Sequence, residues 1–366
     1  MPTKVSTDPR GSERRAAVLT GGALAIHGDA RHALVTAHLC GGRVAQYQQL
    51  DNDITCIDTE QQRPGLAASY LIGHAGRYAF IDTGTSRSAP SLLRVLDDQD
   101  IGRGQVDYVM PTHVHLDHAG GAGALMQALP NARLVIHPRG ARHMINPTQL
   151  IAGATAVYGS EGVRRMYGEI VPVPEARVVV AEVGEGREMA FDLGGRPLLL
   201  IDAPGHARHH YAIWDALSRG WFTGDSFGVS YREFDWDGRH YLIPTTTPVQ
   251  FDPQAWLQTL KRLLTESPKY MYLTHYGRIG NIEPIAQALR DSLDAYPCIA
   301  REQADTPDRH TRLTAALMRY HLDELSHLDH PIPEIRARQL LAFDTELNAQ
   351  GLEVWLVRQQ KTGAST

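Results

Sequence analysis

Residues 112–121 read THVHLDHAGG, which sets His113, His115, Asp117 and His118 within six positions. Imidazole and carboxylate together suit zinc, iron or manganese, and no thiolate is needed. His113 and His115 are two apart, so on an extended segment they share a side. Asp117 and His118 follow on a turn and can face a second position, so one short loop can serve two adjacent ions. Gly120, Gly121 and Gly123 allow the backbone to approach closely behind it. The chain holds 18 histidines in 366 residues, so an ordinary polar loop is the competing explanation. Three apolar runs weigh against it, each stopping at a coordinating residue: LLLIDAPGH at His206, GWFTGD at Asp225 and KYMYLTH at His275.

Such residues need a sheet whose strand ends converge. SYLIGHAGRYAFIDTGTS (69–86) reads as two strands around a glycine-containing turn, and Ser91–Leu96 as a short helix. VDYVMPTH (106–113) is a buried strand running into the histidine loop, AGGAGALMQAL a helix ended near Pro130, and RLVIHP (133–138) another strand. Residues 139–168 read as helical, and 176–206 return to strands that HYAIWD and GWFTGD continue. DPQAWLQTLKRLLTES (252–267) is a helix with Asp252 as N-cap and Pro253 in its first turn, and KYMYLTH a last strand. Beyond residue 280 the pattern is helical over 283–295, roughly 307–328 and 333–350, with LEVWLVR the one short strand candidate. The order implies a layered α/β domain with its site at strand ends.

THVHLDHAGG, DAPGHARHH, FTGDS and LTHYG, in this order, resemble the motifs of the metallo-β-lactamase-fold superfamily over roughly Ile54–Gly280. The resemblance implies an αββα sandwich with a binuclear site at one edge of its sheets, followed by a helical C-terminal extension. It implies that His113, His115 and His206 hold one metal and Asp117, His118 and His275 the second, with Asp225 bridging both. It also implies hydrolysis by a bridging hydroxide, because coordination lowers the pKa of water from ~15.7 towards ~7. Asp117 would also steer a proton. Two divalent ions are the expected cofactors. Zinc is the first expectation, and iron or manganese suit the same donors.

The branch is narrower than the superfamily. Flavo-diiron oxygen reductases carry Glu where this chain has His115, and common β-lactamases lack a bridging Asp like Asp225. What remains resembles glyoxalase II, the acyl-homoserine-lactone lactonases and broader thioesterases and esterases. Their third motif usually reads GHTxGH, whereas here it is GHARHH with His209 in place of the glycine. The long stretch between His118 and His206 and the helical tail resemble the thioesterase of quinolone signalling in architecture. The expected reaction is cleavage of an ester, thioester or lactone. Two alternatives stand beside it: a mononuclear-iron persulfide dioxygenase on His113, His206 and Asp225, and a non-catalytic regulator that binds a partner through its tail.

Further residues are assigned by position. Phe227, Tyr231 and Trp236, in the aromatic stretch after Asp225, and Tyr276 are candidates for the substrate pocket, and His210 for a donor that orients a ligand. His209 is read as a non-ligand, and His137 and His143 as structural. His321, His327 and His330 echo metal spacing but fit a solvated helix face.

Bulk properties exclude other classes. Net charge is -5, which offers no basic face to nucleic acid, and no apolar run nears the ~20 residues of a membrane span. Cys40, Cys56 and Cys298 show no zinc-finger or redox spacing, which fits a reducing cytoplasm. Residues 1–50 read as a flexible extension, although Arg14–Arg15 before a short apolar stretch resembles a twin-arginine export signal. The catalytic domain is expected over 51–282 and the helical extension, capping the site or forming an interface, over 283–366. A small-molecule substrate and a homodimer are the expected partners.

Overall fold

Alternation along the strands sorts the apolar side chains into layers. The computed structural model describes residues 46–246 and 249–363. The first sheet begins with β1 (Tyr47–Leu50), β2 (Ile54–Asp58), β3 (Ala68–His74) and β4 (Arg77–Ile81), an antiparallel meander. It continues in parallel through β5 (Val106–Met110), β6 (Arg133–Ile136) and β7 (Val178–Val180). Parallel neighbours need crossovers, supplied by α1 (Ala89–Asp98), by α2 (Ala122–Ala128), and by α3 (Ala141–Ile145) with α4 (Thr148–Tyr167).

The second sheet holds β8 (Glu188–Leu193), β9 (Arg196–Asp202), β10 (Tyr211–Asp215), β11 (Gly220–Gly224), β12 (Tyr270–Leu273) and β13 (Gly277–Ile279) in simple sequential order. Only β11 and β12 run parallel there, joined through α5 (Pro253–Leu264), whose N-cap Asp252 accepts from the Ala255 amide at 3.1 Å. The chain then runs through α6 (Ile282–Glu302), α7 (Arg309–His327) and α8 (Glu334–Gly363).

The side-chain period of two explains the stacking. Ala68, Tyr70 and Ile72 of β3 meet Leu198, Leu200, Tyr211 and Ile213 of β9 and β10 in a core between the sheets. Leu71 and Phe80 point the other way, onto Leu92, Val95 and Leu125 of α1 and α2. On the far face of the second sheet, Ile201 and Ala212 pack with Trp256, Leu289, Leu317 and Leu352 of α5 to α8. The result is the αββα sandwich with a helical C-terminal extension.

Three expectations change. Tyr47–Leu50, assigned to the flexible extension, form strand β1 because each residue pairs with β2; residues 1–45 of that extension, with the Arg14–Arg15 signal, lie outside the described residues. LEVWLVR lies inside α8, where Leu352, Trp355 and Leu356 fall on one helical face and bury against α6 and α7. His321 is fully buried, not solvated, whereas His327 is exposed. No helix among the described residues is long and apolar enough to cross a membrane.

Candidate metal centre

The ends of β4, β5, β9, β11 and β12 converge at one edge of the sandwich. β5 ends at Met110, and the loop after it carries His113 to His118. A Cβ on Gly121 or Gly123 would run into the carbonyls of Thr85 or Val171, so these glycines are what lets the loop fold back. Gly224 sits just before Asp225 with φ +49°, packed where a Cβ would strike Thr112 and His210.

The seven candidate ligands form two groups, His113–His115–His206–Asp225 and Asp117–His118–His275. Within the first, His115 Nδ1 lies 2.7 Å from His113 Nε2 and 3.2 Å from His206 Nε2. Within the second, His275 Nε2 lies 3.4 Å from Asp117 and His118 Nε2 4.0 Å from it. Asp225 joins them: one carboxylate oxygen is 3.3 Å from His206 Nε2, the other 3.3 Å from His118 Nε2.

The far nitrogens of these rings are held. His118 Nδ1 donates to Asp82 at 2.8 Å, His206 Nδ1 to the Thr245 carbonyl at 2.8 Å, and His275 Nδ1 to the Leu66 carbonyl at 2.9 Å. Each contact fixes the ring orientation that turns Nε2 toward the centre. His118 Nε2 and one Asp225 oxygen are buried without an aligned hydrogen-bond partner. Buried polar atoms normally find partners, so this pair is suited to a cation. Three imidazoles with a carboxylate, beside two imidazoles with a second carboxylate, are donor sets for divalent first-row metals.

Electrostatics support the same reading. Burial, then the charge near His118 and the other rings, leaves Asp225 and Asp117 with carboxyls well below the ordinary range, because the attraction outweighs desolvation. Burial and neighbouring imidazoles hold His113 and His115 well below theirs, so these rings are neutral. Burial opposes charge on His118, but Asp225, Asp82 and Asp117 outweigh it and raise its pKa.

His210, expected to orient a ligand, accepts from the Asp225 amide through Nε2 at 3.2 Å. His209 lies outside both ligand groups, its ring 5.3 Å from that of His115. His137 pairs with Asp202 at 3.1 Å. The four pocket candidates do not share one cluster: Tyr231 and Trp236 pack together, while Phe227 and Tyr276 belong to other clusters. Phe227 is in the core under the outer helices, and Tyr231 lies between its loop and α7–α8, donating to Asp344 at 2.9 Å. The Trp236 ring meets that of His330 at a tilt, and Tyr276 borders the inter-sheet core.

Sequence reasoning missed three supports. Asp82, at the end of β4, takes the Thr112 amide at 2.6 Å and the Thr274 hydroxyl at 2.5 Å as well as His118, tying two site loops together. Its signal was present: FID is an apolar run stopping at a carboxylate. Tyr158 and Tyr167 of α4 lie within electrostatic reach of Asp117, whose side chain is 27% exposed. Burial and the charge of Asp117 raise both phenols, and their helix packs on Leu116, between His115 and Asp117. No periodicity in 139–168 points to that face.

A sequence model of the family described as the metallo-beta-lactamase superfamily matches residues 63–275. A metallo-beta-lactamase fold-containing protein of Sulfurisphaera tokodaii is 31% identical over 220 residues, 59% of this chain and 75% of that one. Among solved structures, an archaeal metallo-beta-lactamase superfamily protein of Sulfolobus tokodaii aligns with TM-score 0.53 and 24% identity, covering 79% of this chain and 93% of that one. A metallo-beta-lactamase family protein of Thermus thermophilus aligns with TM-score 0.53 and 20% identity over 81% of this chain and 89% of that one. These two alignments bear on the fold alone.

Proposed function

This chain belongs to the metallo-beta-lactamase superfamily, and from that premise we propose that it is a binuclear metal-dependent hydrolase of an ester, thioester or lactone. The observation that carries the reading is Asp225, whose two oxygens each face a different ligand group at 3.3 Å. His113 Nε2, His115 Nδ1 and His206 Nε2 would hold one ion, and Asp117, His118 Nε2 and His275 Nε2 the other. Two divalent ions there, zinc first and iron or manganese as alternatives, supply water activated near neutral pH and polarise a carbonyl oxygen.

The chain's own residues do the rest. Asp117 has a side chain 27% exposed and so faces the open side of the cluster, where it accepts and passes on a proton. His118 and His113 are fully buried behind it, which excludes water from the back of the site. Tyr158 and Tyr167, beside Asp117, form a wall with Leu150 and Ile151 against which an acyl or aromatic group packs. The ligands and this wall lie between residues 51 and 282, while the helices beyond support them. We place the protein in the cytoplasm as a homodimer acting on a small molecule; the described cysteines Cys56 and Cys298 are free.

The test is a panel of thioester, lactone and ester substrates offered to the metal-loaded protein. Hydrolysis of at least one, lost on chelation and restored by zinc, iron or manganese, is expected. No hydrolysis, with oxygen-dependent consumption of a persulfide by protein holding about one iron, would replace this reading with the dioxygenase.

A further inference from the structure

His206 owes its orientation to the Thr245 carbonyl, and Thr245 lies in a stretch, 244–246, with no helix or strand of its own. Something else must fix that carbonyl. The residues on either side of it are both held by one side chain. The Thr246 amide donates to Asn348 Oδ1 at 2.7 Å, and Asn348 Nδ2 donates to the Pro244 carbonyl at 2.9 Å. The Thr246 hydroxyl adds a bond to the Asn348 carbonyl at 3.0 Å. A side-chain amide thus does for this segment what a neighbouring strand would do, bonding the chain on both sides of Thr245.

Asn348 is on α8, 1% exposed, and more than a hundred residues away in sequence. Its amide also reaches the Tyr296 hydroxyl of α6 at 3.3 Å, and that hydroxyl meets His321 of α7 at 2.6 Å. One turn further along α8, Gly351 lies against Thr246, where a Cβ would collide with the threonine's side chain and carbonyl. Glycine inside a helix is less favourable than alanine. Its presence here marks a close approach that the clasp requires.

We propose that Asn348 is a positioning residue of the metal centre: through Pro244 and Thr246 it sets the Thr245 carbonyl that holds His206 in its metal-binding tautomer. The C-terminal helices are then part of the centre's construction. This rests on the reading of His206 as a metal ligand. Removing groups that orient a ligating histidine lowers metal affinity by about 10–100-fold.

The test compares full-length wild type with Asn348→Leu and with Leu352→Ala, a core truncation on the same helix. Zinc affinity is measured by competition with a chelator, stability by urea, and the His206 tautomer by nitrogen-15 NMR of metal-free protein. Asn348→Leu should weaken one of two zinc sites by about 10–100-fold and release His206 from its fixed Nδ1–H tautomer. Leu352→Ala should lower stability while leaving both affinities within about threefold and the tautomer intact. An unchanged tautomer and unchanged affinities in Asn348→Leu, or equal weakening in Leu352→Ala, would overturn the clasp. Wild type that takes up no zinc would overturn the metal reading alone, because the tautomer still reports on Asn348.

Discussion

His118 and His321 are both fully buried, one in the loop after β5 and the other on α7, and their ring nitrogens are treated differently. His118 has Nδ1 tied to Asp82 at 2.8 Å and Nε2 left without an aligned partner. His321 has both nitrogens satisfied, Nδ1 by the Tyr241 hydroxyl at 2.7 Å and Nε2 by Tyr296 at 2.6 Å. A neutral imidazole offers one donor and one acceptor, so two hydroxyls complete it. Burial with no charge nearby pushes the His321 pKa down to about 3, whereas three carboxylates raise that of His118. The same residue type is suited to bind a metal where one nitrogen is anchored and the other stranded, and serves as a structural crosslink where neither is. The carboxylates divide in the same way. Asp225, among imidazoles, is held well below the ordinary range, and Asp344, facing Tyr231 in the helical region, is raised by burial to about 6.

The difference can be broken most forcefully at Asp225. Asp225→Ala should lose at least one metal and nearly all hydrolysis, and retention of both metals by mass spectrometry would remove the bridge between the two groups. His321→Leu should do the reverse. It strands two tyrosine hydroxyls and should cost about 2–4 kcal/mol in urea unfolding, with the metal content of the folded protein unchanged. A lost metal equivalent would erase the contrast.

Asp344 sharpens it through pH. Its carboxyl rises from 3.8 to about 6 on folding, so its contribution to stability is complete below about pH 4 and is lost as pH rises through 6. Asp344→Asn keeps an acceptor for Tyr231. In metal-free protein it should gain of order 1–3 kcal/mol over wild type at pH 7.5 and little near pH 4, as urea midpoints would show. A gain independent of pH would mean that the carboxylate's burial is not the cause. The smallest effect is expected at Asp82. Asp82→Asn still accepts but loses charge, and should weaken metal binding by roughly tenfold while the fold persists.

The parts legible in the sequence were those written locally. Strand β5 and its histidine loop, and the runs ending at His206, Asp225 and His275, could be read because an apolar strand must stop where a polar ligand begins. The N-cap Asp252 and Pro253 fixed α5 for the same local reason. What stayed hidden depends on contacts across the chain. His321 has a tyrosine on α6 and another in the loop after β11, and nothing in YHLDELSHLDH names them. Asn348 is an ordinary helix residue until Thr246 folds against it. LEVWLVR has β-forming composition, yet its neighbours offer a helical groove and no strand edge, so packing overrides propensity. Tyr158 and Tyr167 come to Asp117 only because α4 closes over Leu116.

The most direct test of the account is the number of metal ions per chain, by plasma mass spectrometry on wild-type protein purified without added metal. Two groups joined by Asp225 predict about two equivalents of zinc, iron or manganese, falling to one or none in Asp225→Ala. A wild type holding one equivalent that survives the loss of Asp225, or holding none, would contradict it.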